Sequence, residues 1–171
     1  MKSFFLGIVL GVCIIPVSAY IFLIKGGMPV ATKGSPLPGE RFIAKIALRA
    51  AMENEIGKTS PFPVDEQGLT RGAKIYTVHC AVCHGLPSEK KTAIARGLFP
   101  KPPQLFDPDH GVTDDPIGKI YWKVKNGIRL TGMPGFVDSL SDQDLWLVSQ
   151  VLLEADKLPT SVRAILTEKN R

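Results

Sequence analysis

The residues most able to do chemistry in this 171-residue chain form one short run, Cys80-Ala81-Val82-Cys83-His84. Two thiols three residues apart on a helical turn can add to the two vinyl groups of one haem. The imidazole of the next residue then lies under the iron. This spacing is the attachment signature of c-type haem. It predicts one covalently bound haem c, with Cys80 and Cys83 as thioether donors and His84 as an iron ligand.

Two other chemistries use closely spaced cysteines. A structural zinc site needs a second pair of ligands at a distance, and the only other cysteine, Cys13, lies in the apolar N-terminal run. A thioredoxin-like redox pair needs a strand–helix–strand context, which the sequence around Cys80 does not supply. Haem attachment is therefore the favoured interpretation.

The flanking sequence resembles the class I (mitochondrial-type) monohaem cytochrome c domain, here in a membrane-anchored bacterial form. Gly72 and Tyr76 stand four residues apart, as in the first helix of that family, where the glycine admits close helix contact. Ser141 is a good N-cap for the last helix, and Trp146 is the expected partner of the Gly72/Tyr76 face. The resemblance implies a small all-α domain around one haem over residues 66–157, with a further helix up to Asn126.

The iron also needs a sixth ligand or an open position. The candidate side chains are those of Met28, Met52, Met133, His79 and His110. Met133 lies in Gly132-Met133-Pro134-Gly135, which resembles the family's distal loop. The resemblance implies that Met133 is the second iron ligand and leaves His110 as its main rival. His79 is expected to point elsewhere on its helix.

Other site residues follow from the same resemblance. A backbone carbonyl of the proline region, from Pro102 or Pro103, is implied to hold the second ring nitrogen of His84. Tyr121, Trp122 and Arg129 lie in a segment that often meets the haem propionates in similar proteins. Helix packing and a solvated charge are the alternative interpretation of these three residues.

The apolar residues are concentrated near the N-terminus. Phe4 to Ile24 is a run of 21 residues without a charge, and a helix of that length spans about 30 Å, one hydrocarbon core. The prediction is an uncleaved transmembrane anchor over residues 1–25. A cleaved signal peptide is an alternative, because Val17-Ser18-Ala19 has the small residues of a cleavage site. A lipoprotein acylated at Cys13 is a third possibility, and Val12 before it argues against that.

Residues 26–65 form a linker rich in glycine and proline, interrupted by a predicted amphipathic helix at about 40–56. Its basic residues stand at four-residue steps, at Arg41, Lys45 and Arg49. This helix either packs on its own domain or lies on a lipid surface or a partner subunit. Residues 158–171 are predicted to be a C-terminal tail.

Charge and motifs narrow the function. The net charge of +5 is modest and scattered, which argues against nucleic-acid binding, and no catalytic motif of another chemistry is present. A His/Met-ligated haem leaves no position for substrate, so the prediction is a single-electron carrier and not an enzyme. The segment between His84 and Met133 contains eight basic and five acidic residues, a net charge of +3. This excess predicts a basic collar around the haem edge.

The expected setting is the bacterial cytoplasmic membrane, crossed once, with the haem domain in the periplasm, because haem of this type is attached outside the cytoplasm. The expected partners are redox proteins: a quinol-oxidising complex, a dehydrogenase or a terminal oxidase. Alternatives are a fixed haem subunit of a larger oxidoreductase complex, a haem-based gas sensor or ligand-binding module, and, last, a peroxidase-like enzyme.

Overall fold

The structure is a computed structural model that describes residues 2–87, 89–107 and 111–167. Over these residues the secondary structure is helical and contains no strand. The all-α prediction is therefore confirmed for the described part of the chain. The chain divides into two compact units between Ile43 and Ala44, and each is described by itself.

The first unit contains helix α1, Lys2–Ile24, with Pro16 inside it. The side chains from Val12 to Ile24 are exposed. Counted over the residues that the structure describes in full, no helix reaches the length and hydropathy that a membrane crossing requires. The transmembrane helix therefore stays a prediction.

Helix α2, Glu40–Met52, begins in the first unit and ends in the second. The Glu40 carboxylate accepts a hydrogen bond of 2.8 Å from the backbone N–H of Leu37, three residues before it. The helix is shorter than the predicted 40–56. After the buried Met52 the chain turns, and the N–H of Ile56 donates to the Met52 carbonyl at 3.1 Å.

The second unit holds the core. Its helices are α3 (Glu66–His79), α4 (Ala81–His84), α5 (Ala93–Gly97), α6 (Ile117–Asn126), α7 (Asp142–Leu153) and α8 (Thr160–Thr167), with a 3₁₀ turn at Ala155–Lys157. Helix α3 packs against α7 and α8, and α6 packs against α7. Ser141 caps α7 as predicted, because its hydroxyl accepts from the Asp144 N–H.

Gly72 is the point of closest approach between α3 and α7. A Cβ there would lie 2.7 Å from Val151 Cγ2 and 2.8 Å from the Leu147 carbonyl carbon, so only glycine fits. The prediction that Trp146 packs on this face is wrong. Trp146 instead stacks on Tyr121, with ring centroids 3.9 Å apart, and Leu147 occupies the contact with Gly72.

An ion pair joins the exposed side of the same two helices. Arg71 Nε lies 2.6 Å from Asp144 Oδ1, and Arg71 Nη2 lies 3.0 Å from Asp144 Oδ2. Burial opposes ionisation of Asp144, but the hydrogen bonds from Arg71 and Ser141 outweigh it and lower the pKa of this carboxyl. The two-point contact joins α3 to α7 at the surface of the domain.

The prediction that residues 158–171 form a C-terminal tail is wrong for their described part, residues 158–167. Leu158, Val162 and Leu166 are fully or almost fully buried in the core, and the last two belong to α8. The four-residue spacing of Val162 and Leu166 places these two side chains on one face of α8, and α8 packs on α3. The short apolar pattern was too weak to be recognised as a helix from the sequence, and burial against α3 is what stabilises it.

We expect Gly72→Ala to lower the free energy of unfolding by about 1–3 kcal/mol, because the new methyl group would overpack a contact with backbone atoms. Gly97→Ala is the matched control, since nothing lies within 4 Å of the position its Cβ would take. Urea unfolding of the haem-loaded chain in detergent measures both. Equal stability of the two variants would contradict the close crossing at Gly72.

Candidate functional site

The haem-attachment motif lies where two helices meet. Helix α3 ends at His79, and Cys80 starts a new turn in which its carbonyl accepts from the N–H groups of Cys83 (3.1 Å) and His84 (2.9 Å). Gly85, with φ of +78°, then ends α4. This single turn brings both thiols and the imidazole to one side of the chain.

The buried Tyr76 side chain supports the haem-attachment motif. Its ring is fully buried edge-on against Phe106, with centroids 4.9 Å apart, and its hydroxyl donates to the Gly85 carbonyl at 2.7 Å. Burial, with the nearby Cys80 as a smaller cause, raises the pKa of the Tyr76 hydroxyl, which therefore stays protonated as a donor. The hydrogen bond holds both ends of the motif on one core side chain.

A single cleft of roughly 780 Å³, including its open mouth, lies against this turn. Cys80, Cys83, His84 and Met133 all line it, so residues 49 positions apart in the chain face one space. The rest of the lining is mainly apolar and is contributed by His79, Leu98, Pro100, Lys101, Pro102, Pro103, Leu105, Val124, Ile128, Thr131, Gly132, Pro134, Phe136 and Leu152.

His84 is held for ligation by its other ring nitrogen. Nδ1 lies 2.8 Å from the carbonyl oxygen of Pro103, and not of Pro102. Because a carbonyl can only accept, the proton is on Nδ1 and the lone pair is on Nε2. Burial lowers the pKa of His84, and the Pro103 carbonyl opposes this as the smaller cause. The imidazole is therefore neutral near pH 7, the form that binds a metal.

Burial also determines the protonation state of the Cys80 thiol. Burial, with Cys83 as a smaller cause, raises the pKa of the Cys80 thiol to about 12. The group is thus a protonated thiol and not a thiolate at neutral pH. Cys80 and Cys83 are free of a disulfide, so both sulfurs can form thioether bonds.

The loop carrying Met133 is closed by its own hydrogen bonds. Ile128 N–H donates to the Met133 carbonyl at 3.1 Å, and Met133 N–H donates to Thr131 Oγ1 at 3.1 Å. Gly127, with φ of +67°, leads into the loop, and a Cβ on it would lie 2.5 Å from Gly135 N. This crossing of the two loop ends places Met133 along the cleft.

The other candidate ligands are distributed differently. Met28 is half-exposed in the linker of the first unit, and Met52 is buried outside the cleft lining. His79 was expected to point away, but it lines the cleft, with its ring centroid 5.9 Å from that of Phe136. His110 lies outside the described residues.

The three residues predicted to meet the propionates are not brought to the cleft lining. Tyr121 is buried against Trp146 and donates to the Asp142 carboxylate, Trp122 lies half-buried on α6, and Arg129 is exposed. Burial first, then the hydrogen bond to Asp142, raises the pKa of Tyr121. The alternative interpretation, helix packing, therefore accounts for the position of Tyr121. The contact of these three residues with the haem propionates stays a prediction.

Sequence reasoning missed the apolar walls of the cleft. Leu98 packs so closely on Gly132 that a Cβ at that glycine would clash with its side chain, which ties the segment before the proline loop to the methionine loop. Phe136 and Leu152 also line the cleft. A signal existed for Phe136, since it directly follows the Pro134-Gly135 turn. Leu98 offered none, because its loop has no periodic pattern.

The residues present fit the predicted cofactor. Two thiols, a neutral imidazole with a free nitrogen and a thioether share a mainly apolar cleft, as covalent haem attachment and two-sided iron ligation require. Over the described residues, no group of three or more His, Cys, Asp or Glu side chains is placed to hold a metal ion by itself.

Comparison with known proteins agrees with this site. Residues 67–150 match the family model described as cytochrome c oxidase, cbb3-type, subunit III. This part of the chain is therefore a class I-like monohaem c-type cytochrome domain, a class that implies covalently bound haem c and electron transfer.

Two further comparisons add less. No curated protein matches the chain. A solved structure, a chain of the reducing HAO-like protein complex of Kuenenia stuttgartiensis, is 22% identical with a TM-score of 0.48. The match covers 58% of this chain and 48% of that one, so this chain spans about half the length of that neighbour.

Proposed function

We propose that this protein is a membrane-anchored monohaem c-type cytochrome that carries single electrons between redox proteins of a respiratory chain. The observation that carries the proposal is that Cys80, Cys83, His84 and Met133 line one cleft. The bound haem would supply a one-electron Fe(III)/Fe(II) couple. Ligation by His84 and Met133 would raise the reduction potential and would leave no iron position for substrate, which favours electron transfer over substrate chemistry.

The chain's own residues have distinct tasks in this proposal. Cys80 and Cys83 form the covalent attachment, and Pro103 holds the His84 ring with Nε2 available for the iron. Met133 closes the opposite side from its hydrogen-bonded loop. The apolar walls at Leu98 and Phe136 exclude water, and a dry, hydrophobic shell is one way a protein sets the potential of a bound metal.

The membrane location is part of the proposal. It is supported by the uncharged run from Phe4 to Ile24, which is long enough for one hydrocarbon core, and by the charged residues Lys2 and Lys25 at its ends. We place the haem domain on the periplasmic side of a bacterial cytoplasmic membrane, since c-type haem is attached outside the cytoplasm. The donor and acceptor would be a quinol-oxidising complex, a dehydrogenase or a terminal oxidase.

A second candidate function is a fixed haem subunit of an oxidoreductase complex. The family description favours it, because that name refers to a subunit of an oxidase. Within the proposal, a carrier and a fixed subunit share the same haem site. They differ in whether the cleft mouth meets diffusing partners.

The charge at the cleft mouth separates these two modes. Of the predicted basic collar, Lys119 and Lys123 share Asp115, and Lys125 pairs with Asp142, so two carboxylates offset two of these three positive charges. Burial lowers the pKa of Lys123, with Asp115 opposing as a smaller cause. Lys101 is exposed and lines the cleft itself, so we assign the steering charge to it.

We expect the reduced full chain in nanodiscs to be oxidised by ferricyanide more slowly as ionic strength rises, because salt screens Lys101 from the anionic oxidant. Lys101→Glu should slow the reaction several-fold at low salt. Lys74→Glu is the matched control, because it reverses the charge of an exposed side chain on α3 that does not line the cleft. Stopped-flow rates that ignore both salt and Lys101→Glu would contradict a carrier steered at this cleft and favour the fixed subunit.

A further inference from the structure

Helix α2 has an exposed apolar face. Phe42, Ile43 and Ile46 are 69%, 66% and 53% exposed, which is far above the buried end of the same helix at Met52. Phe42 and Ile46 stand four residues apart, so they lie on one side of the helix, with Ile43 beside them. All three side chains therefore form an exposed apolar surface on α2.

A row of cations borders that face. Arg41, Lys45 and Arg49 each precede or follow the apolar positions by one to three residues, again at four-residue steps, and all three are exposed. The only acid in α2 is Glu40, whose carboxylate already accepts from the Leu37 N–H. A helix with an apolar face and a basic flank fits a negatively charged lipid surface, since the long basic side chains can reach headgroups while the apolar ones enter the acyl boundary.

The chain that directly follows α2 packs on the haem-binding unit. Met52 is buried, and the carbonyls of Ile56 and Lys58 lie so close to Gly118 that each would be 3.0 Å from a Cβ there. Further along, Gln150 Nε2 donates to Ser60 Oγ and to the Phe62 carbonyl, both at 2.9 Å. The residues directly after α2 are therefore part of the haem-binding unit.

The position of α2 in the chain indicates which surface its apolar face binds. Only residues 25–39 separate it from the apolar run that the proposed function places in the bilayer. A flexible segment of that length has a mean end-to-end distance of about 20 Å. Helix α2 is thus kept at a high effective concentration beside the membrane, and even a weak surface affinity is sufficient for it to bind.

We infer that α2 lies in the membrane interface, with Phe42, Ile43 and Ile46 in the lipid and the three cations on anionic headgroups. This inference rests on the proposed membrane anchor. Its consequence is that the haem-binding unit, which begins within α2, is kept close to the lipid surface.

Spin-label accessibility in the full, haem-loaded chain tests the inference. The chain is placed in vesicles of phosphatidylcholine with phosphatidylglycerol, with nitroxides introduced through Ile46→Cys or Ala44→Cys in a Cys13→Ser background. Ala44 is exposed and lies nearly opposite Ile46 on the helix, so it is the matched control. We expect the ratio of oxygen to nickel-chelate collisions to be several-fold higher at position 46 than at 44.

A label on the native Cys13 reports the anchor separately. Lipid exposure at Cys13 with equal, aqueous ratios at 44 and 46 would overturn the interfacial helix and leave the proposed anchor standing. An aqueous Cys13 would instead overturn the anchor. Protection of position 46 in native membranes but not in vesicles would also overturn the inference, in favour of an acidic partner protein.

The charge contribution has its own variant. In the Ile46 label background, Arg41→Gln, Lys45→Gln and Arg49→Gln should reduce the equilibrium constant for surface binding about fivefold for each cation removed, since a Lys or Arg near an anionic surface contributes about that factor. Vesicles of phosphatidylcholine alone should reproduce much of this loss. An unchanged label ratio in the triple variant would overturn the assignment of these residues to headgroups.

Discussion

Replacing both motif cysteines, as Cys80→Ala with Cys83→Ala, should abolish the haem that stays on the chain through denaturing electrophoresis and acid–acetone extraction. Both thiols are free of disulfides and line the cleft with His84, so both are placed for thioether formation. The His84 ligand alone cannot retain haem once the fold is lost, because only a covalent bond survives denaturation. Haem-stained gels of matched protein amounts measure the effect.

Cys13→Ser is the control for this double variant. It removes a cysteine of the apolar N-terminal run, and haem staining should be unchanged. Extractable haem in the unmodified chain would contradict c-type attachment. Covalent haem that persists in the double variant would place the attachment elsewhere.

Met133→Ala should leave haem attached but open one axial position. The iron–sulfur charge-transfer band should disappear, the reduction potential should fall, and the reduced protein should bind carbon monoxide that the unmodified protein excludes. The physical reason is that Met133 lines the cleft from a loop closed by its own backbone hydrogen bonds. Visible spectra with and without carbon monoxide, followed by a potentiometric titration, measure all three changes.

Two variants control the methionine assignment. Met28→Ala alters a half-exposed linker methionine and should change none of the three properties. His110→Ala tests the rival ligand. If His110→Ala opens the iron and Met133→Ala does not, the ligand assignment is wrong. Carbon monoxide binding to the unmodified protein would favour the gas-sensor or ligand-binding alternative.

Much of the site could be predicted from the sequence because its chemistry is local. The spacing of Cys80, Cys83 and His84 is set by one helical turn, which any helix would reproduce. The sequence limited the hydrogen-bond partner of the second His84 ring nitrogen to Pro102 or Pro103, and the structure shows that the partner is the Pro103 carbonyl. The N-cap at Ser141 could likewise be predicted because capping is a local backbone requirement, whereas Gly72 was identified through the family resemblance.

The parts that could not be predicted depend on tertiary packing. Trp146 and Leu147 are neighbours on α7, and only the crossing angle decides which of them meets Gly72. The last helix, α8, is eight residues long, too short to be stable alone, and forms because Val162 and Leu166 are buried on α3. His79 lines the cleft because α3 ends there, at a boundary that patterns place only to within a few residues.

In the proposed function, His84 and Met133 would both ligate the iron of one covalently bound haem, and this haem would exchange single electrons with redox partners. A potentiometric titration of the full chain in nanodiscs, with carbon monoxide added at the reduced end, tests this most directly. The expected result is one reversible one-electron transition and a reduced spectrum that carbon monoxide does not alter. A spectrum shifted by carbon monoxide, or the lack of a one-electron transition, would contradict the electron-carrier function.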